Sequence, residues 1–284
     1  MSSPIAETLT DDVVASAAGA KDARSRAIFA SLVRHLHAFV RDVELTPDEW
    51  LAGITFLTAT GHKSDDVRQE FILLSDVLGV SMLVDAIASR SLAAGTESTV
   101  LGPFFTTDAP EIPQGASIAT EGTGVPLDVN CTLRDPDGKP IADATIEVWE
   151  VDGNGMYDVQ YADREQPNCR ARIRSDEDGR FAFRATLPIS YSIPGDGPVG
   201  ELLARLGRHT MRPAHLHFMF TAPGFAPLVT ALYVAGDPYI DGDAVFGVKP
   251  SLIAKFETKA NEDGPFATLQ HDFVLVPARE RVAS

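Results

Sequence analysis

Near Gly95 the spacing of apolar residues changes from three-and-four to two, and a chain carrying that switch folds in two unlike parts. Upstream, Ile28, Phe29, Leu32, Val33, Leu36, Phe39 and Val40 mark one stripe of a long amphipathic helix. Thr46-Pro47-Asp48-Glu49 reads as a capping box with proline at the first helical position, opening a helix through Trp50, Ile54 and Leu57. Ser64-Asp65-Asp66 is expected to open a third helix, carrying Phe71, Leu74 and Leu78 and stopping at Gly79, and a fourth runs over about 81–91. Downstream, Leu127, Val129, Cys131 and Leu133 alternate, as do Ala144, Ile146 and Val148, and then Phe181 and Phe183. Stretches 215–220, 228–234 and 273–276 complete at least six short strands, separated by turns such as Asp135-Pro136-Asp137-Gly138 and Asp178-Gly179. The expected fold is α+β, a helical N-terminal domain over 1–98 followed by a β-sandwich or barrel over 99–284. Stretches 95–117, 152–170 and 194–200 read as long loops, and such loops in a compact domain are usually functional.

Charge and cysteine content narrow the partners. A formal charge of -16 argues against nucleic acid and against anionic membrane surfaces. No apolar run approaches a membrane span, and the N-terminus has neither a basic segment nor an apolar core of the secretory kind. The reading is a cytoplasmic protein, with Cys131 and Cys169 as reduced thiols.

The chemistry is concentrated in Arg212-Pro213-Ala214-His215-Leu216-His217-Phe218-Met219-Phe220. On a strand, His215 and His217 share one face while Leu216, Phe218 and Phe220 share the other, so the pair is half of a metal site on an apolar backing. The plainer reading is two polar residues on a solvated face. His35 and His37 have the same spacing, but on a helix a separation of two sends the rings to nearly opposite sides. Tyr157 and Tyr191 lie on the predicted loops, each just past a strand. Singly, each reads as a packed aromatic with a satisfied hydroxyl. Together with the histidines they suggest a ferric site, because phenolate is a hard anionic oxygen donor and zinc draws on Cys, His and carboxylates.

Taken together, the Gly155-x-Tyr157 loop, Tyr191 with Ile193-Pro194-Gly195-Asp196-Gly197-Pro198, and the Arg212 to His217 run resemble the intradiol ring-cleaving dioxygenases over most of the chain. The resemblance implies a helical N-terminal part that dimerises and a β-sandwich holding one non-haem Fe(III) per subunit. It implies Tyr157, Tyr191, His215 and His217 as iron ligands, with Tyr191 leaving as the diol binds, and Arg212 stabilising negative charge beside the ring. One departure is visible. The family commonly has a Thr-Gln step on the strand after the histidines, where this chain has Thr230-Ala231.

Within the family the likeness is greatest to enzymes acting on hydroxyquinol (benzene-1,2,4-triol), through Leu73-Leu74-Ser75-Asp76, the segment Thr99 to Phe105 and the segment Asp243 to Lys249. The resemblance places Leu73, Asp76, Val100, Leu101, Gly102, Pro103, Phe104, Ile193, Pro194 and Val245 around the substrate. Asp76 would accept a hydrogen bond from the third ring hydroxyl that catechol lacks; as a residue by itself it reads equally well as a solvated helix aspartate. The implied reaction is ring opening by O2 to 3-hydroxy-cis,cis-muconate, the enol form of maleylacetate, in aromatic catabolism, with catechol or a substituted catechol as the alternative substrate. Implied partners are the aromatic diol or triol, O2, a second copy of the chain at the N-terminal helices, and a lipid at that interface as in relatives. Two rival readings stay open, a zinc hydrolase on the same scaffold and a non-enzymatic, transthyretin-like binding module.

Overall fold

The computed structural model describes residues 4–66, 68–92, 94–120, 124–164, 166–262 and 264–278. It forms two compact units, Met1–Ala59 and Thr60–Ser284.

The helices are α1 (Pro4–Ala15), α2 (Ala23–Asp42), α3 (Pro47–Lys63), α4 (Glu70–Val77), α5 (Val80–Ser89) and α6 (Pro198–Arg205). Asp22 caps α2 by accepting from the Ser25 N–H at 2.7 Å. The box at Thr46 is reciprocal: Glu49 Oε2 accepts from the Thr46 N–H at 2.9 Å, and the Glu49 N–H donates to Thr46 Oγ1. His35 and His37 behave as helical spacing dictates, since the His35 Nδ1 donates to Ser31 O while the His37 ring meets Thr10 Oγ1. Apart from Val33, which is buried, the apolar stripe on α2 stays solvent-exposed, with Leu32 at 55% and Phe39 at 52%.

Two helical expectations need correction. The third helix begins at Glu70 rather than at Ser64, because the Asp65 carboxylate accepts the Arg68 N–H at 2.6 Å and closes a side-chain turn there instead. The stretch 194–200 is only partly loop. Pro198 sits at the first turn of α6, where its missing N–H is not needed, and Glu70 Oε1 accepts the next free donor, Val199 N–H.

The strands are β1 (Pro126–Arg134), β2 (Thr145–Trp149), β3 (Arg170–Arg174), β4 (Arg180–Thr186), β5 (Tyr191–Ser192), β6 (Met211–Arg212), β7 (His215–Thr221), β8 (Leu228–Val234), β9 (Ile253–Ala254), β10 (Glu257–Asn261) and β11 (Gly264–Val274). They form one sheet of order β10-β11-β1-β4, a second of order β3-β2-β7-β8-β9, and a β5-β6 ribbon. One apolar cluster is drawn from both sheets: Leu127, Val129, Phe181, Phe183, Leu269 and Phe273 from the first, and Ile146, Val148, Ile173, Leu216, Phe218 and Phe220 from the second. That interdigitated layer makes the pair a β-sandwich. Each fully buried large side chain contributes about 1.5–3 kcal/mol of transfer free energy, which holds the sheets face to face. Strand period then decides where the chemistry goes. Leu216, Phe218 and Phe220 turn into the sandwich, so His215 and His217 project from the outer face of the five-stranded sheet. Cys131 and Cys169 are buried free thiols.

Candidate metal centre and substrate cavity

The outer face of β7 carries His215 and His217, and antiparallel register sets its neighbours. Trp149 on β2 lies opposite His217, while on β8 Ala231 lies opposite His217 and Tyr233 opposite His215. Trp149 stacks on the His217 ring at 4.7 Å with an interplanar angle of 3°. The His215 Nδ1 donates to Pro213 O at 2.7 Å; a carbonyl only accepts, so the proton is on Nδ1 and Nε2 carries the lone pair. The two Nε2 atoms are 3.1 Å apart. Burial holds both imidazoles well below their ordinary pKa, with Arg212 adding to the effect at each and His215 also depressing His217. Both rings are neutral donors.

Two phenols meet the imidazoles. Gly155 adopts φ +78°, and a Cβ there would stand 3.4 Å from the Tyr191 Cβ, so glycine lets the loop pass close as it delivers Tyr157. The hydroxyls of Tyr157 and Tyr191 are 3.2 Å apart, and Tyr191 packs against His215 with ring centroids 5.5 Å apart. Burial, with Tyr191 nearby, pushes the Tyr157 phenol well above its ordinary value. A phenol in that position ionises only if a cation binds beside it. Two lone-pair imidazoles and two phenols thus make a donor set that fits a hard trivalent ion. Among the described residues no group of three or more His, Cys, Asp or Glu converges, so the donors of a zinc site are not assembled there.

Arg212 pairs with Tyr191 across the β5–β6 ribbon, which delivers its side chain to the same place. Its Nη1 lies 3.4 Å from the Tyr191 hydroxyl and 3.2 Å from His215 Nε2. Burial opposes the guanidinium charge, but Asp243 with the nearby phenols more than offsets it, and the group stays cationic.

The Tyr157 loop is tied down from behind. Asp158 accepts both a 2.9 Å pair of bonds from Arg170 Nε and a further bond from Arg170 Nη2. Arg170 Nη1 reaches Phe104 O and Thr106 Oγ1, and Phe104 in turn stacks on Tyr157 at 4.5 Å.

Beside the site is a cavity of about 350 Å³. Of the ten residues placed around the substrate by resemblance, Leu73, Pro103, Phe104 and Pro194 line it, joined by Met156 and Gln160. Val100, Ile193 and Val245 are buried, whereas Leu101 is exposed and Gly102, at φ +74°, is part-exposed; none of these lines the cavity. Asp76 is buried too, which excludes the solvated-aspartate reading. Burial raises its carboxyl, while the Ser81 hydroxyl and the Arg212 charge pull the other way. Ala231 is fully buried on the site face against Tyr233 and Leu252. Trp149, Tyr233, Asp243 and Asp158 belong to this constellation without any sequence signal having singled them out. The period-two register would have pointed to Tyr233 and Trp149, had the strand pairing been known.

Residues 100–277 match the family model described as "Dioxygenase", and residues 22–96 match "Catechol dioxygenase N terminus". The chain belongs to the intradiol ring-cleavage dioxygenases. It is 50% identical to 6-chlorohydroxyquinol 1,2-dioxygenase of Cupriavidus pinatubonensis, over 95% of this chain and 96% of that protein. It is 49% identical to hydroxyquinol 1,2-dioxygenase of Rhodococcus opacus, over 96% and 94%. A solved hydroxyquinol 1,2-dioxygenase from Pseudomonas putida superposes with a TM-score of 0.89 at 48% identity, over 96% of this chain and 99% of that one. Non-haem iron(III) is the general cofactor of this dioxygenase family. No single helix among the described residues is long and apolar enough to cross a membrane.

Proposed function

We propose that the chain cleaves hydroxyquinol between its two adjacent hydroxylated carbons with O2, giving 3-hydroxy-cis,cis-muconate in aromatic catabolism. The observation that carries this reading is the convergence of Tyr157, Tyr191, His215 and His217 in one buried pocket beside a ring-sized cavity. The choice of triol is supported by the likeness to hydroxyquinol dioxygenases over nearly the full chain.

In this reading those four side chains would hold one non-haem Fe(III) per subunit, which would supply Lewis acidity toward the phenols and the diol. The protein's own share is positioning and charge. Leu73, Pro103, Phe104 and Pro194 grip the ring faces and exclude water, while Val100, Leu101, Gly102, Ile193 and Val245 would touch the substrate only where it extends beyond that cavity. Tyr191 Oη, 3.4 Å from Arg212 Nη1, takes one ring-hydroxyl proton as the substrate binds. Arg212 Nη1 stabilises negative charge growing on the ring oxygens. Asp76 accepts from the third hydroxyl, so a catechol leaves a buried carboxyl unmatched.

The domain division we favour is helical over 1–98 and catalytic over 99–284. We further propose a cytoplasmic homodimer through the N-terminal helices with lipid at that interface; the exposed stripe on α2 supports an apolar partner there. Light scattering and mass spectrometry of an organic extract test the dimer and the lipid.

Oxygen uptake by the iron-loaded protein tests the reaction, read with hydroxyquinol and with catechol against a heat-killed control. Fast uptake with the triol and slow uptake with the diol is the expected result. A reversed preference sinks the triol assignment, and silence with both sinks the activity.

A further inference from the structure

Arg212 reaches the site only as part of a buried assembly. Its Nε donates to Asp243 Oδ1 at 3.0 Å and its Nη2 to Asp243 Oδ2 at 3.1 Å, a two-point fork in which both side chains are almost fully buried. Nη2 also donates to the Tyr233 hydroxyl at 3.2 Å. These contacts occupy the far side of the guanidinium and leave Nη1 to face Tyr191 and His215. Tyr233 is placed by register, directly across from His215, and Thr99 Oγ1 lies 3.5 Å from its hydroxyl. Asp243 is placed by its own loop, since its carboxylate accepts the N–H groups of Val245 and Gly247 at 3.3 and 2.9 Å. Arg208 holds that loop from outside by donating to Ala244 O and to Val77 O at the end of α4.

Gly247 shows how tightly the assembly closes. A Cβ there would stand 2.7 Å from the Tyr233 hydroxyl, 2.9 Å from Arg212 Nη2 and 3.1 Å from Asp243 Oδ2. Only a residue without a side chain lets the three groups meet.

We infer that Asp243 and Tyr233 are positioning residues, which together aim Arg212 Nη1 at the reacting ring oxygens and keep its guanidinium from swinging away. The inference rests on the proposed role of Arg212. A long, flexible arginine has no fixed direction by itself, and a charge misplaced by about 1 Å loses on the order of 100-fold in rate.

The test is a double-mutant cycle on the iron-loaded enzyme, with Asp243→Asn, Tyr233→Phe and Arg212→Ala, read for kcat, KM, iron content and the visible band. Asp243→Asn and Tyr233→Phe are expected to lower kcat about 10- to 100-fold, with KM within about threefold and iron and colour retained. Made in the Arg212→Ala background, each is expected to change kcat less than about threefold, because the group it aims is gone. Wild-type kcat in Tyr233→Phe and Asp243→Asn, or losses that multiply fully in the Arg212→Ala background, overturns the inference. If Asp243→Asn fails to fold, Tyr233→Phe decides by the same cycle. Crystal structures of the two variants read the aim without turnover: the guanidinium should leave its place beside Tyr191 and His215, and an unmoved group refutes the idea. An inert wild type would sink the proposed function while these structures still decide the inference.

Discussion

Replacing Asp158 by Asn separates two views of the charges around the site. Asp158 and Arg170 are 4% and 2% exposed, and the carboxylate also accepts the N–H groups of Val159 and Asn168. The amide keeps the shape but removes the charge, leaving a buried guanidinium without its counterion. Breaking one partner of such a pair destabilises by about 3–5 kcal/mol. Arg180 and Asp178, at 65% and 67% exposure, form a pair of ordinary length, 2.9 Å, in water. Asp178→Asn should therefore change stability by about 0–1 kcal/mol.

Urea unfolding of the metal-free protein measures the difference without adding the free energy of metal binding. Of the two tryptophans, Trp50 is exposed on α3 and Trp149 is buried against His217. A Trp50→Phe background thus lets Trp149 report the sheet unit alone. With a denaturant slope of about 3 kcal/mol/M, Asp158→Asn should lower the midpoint by roughly 1–2 M and Asp178→Asn by no more than about 0.3 M. Equal midpoints for the two variants would refute the claim that burial sets the worth of these pairs.

Four further outcomes are expected. Tyr157→Phe or His217→Ala should lose iron and the visible band together, and a coloured, active variant would remove that residue from the ligand set. Asp76→Ala should lower the hydroxyquinol-to-catechol ratio of kcat/KM at least ~10-fold, with an unchanged ratio as the refuting result. Burial holds the Glu150 carboxyl well above its ordinary value and leaves Oε2 unpartnered, so the unfolded chain ionises first and stability falls as pH rises past about 4.5 toward the folded value. Glu150→Gln should flatten that slope in pH-dependent unfolding. Hydrogen bonds from Arg68 and Lys63 lower the Asp196 carboxyl to about 2, so its contribution is present above about 4 and disappears as pH falls through about 2. Asp196→Asn should erase that acid limb, and an unaltered acid titration would show that the exposed cluster adds nothing.

Much of this protein follows from local pattern alone. Apolar spacing marks α2, the capping box marks the start of α3, and alternation marks β1, β4, β7 and β8, because each depends on residues a few positions apart. The His215 and His217 pair is legible for the same reason: period two puts both rings on one face and the apolar backing says which face is buried. Tertiary structure alone decides what meets them. Trp149 reaches His217 through the β2–β7 pairing, Tyr233 reaches His215 through β7–β8, and Asp243 closes on Arg212 from a loop 31 residues away. Nothing nearby in the chain encodes those partners, since a strand's own pattern tells which side a residue faces but not which strand lies beside it. The start of α4 and the helix over Pro198–Arg205 depend on distant or competing acceptors in the same way, Asp65 for one and Glu70 for the other. Period writes the faces of this molecule, and strand pairing chooses which of them become a site.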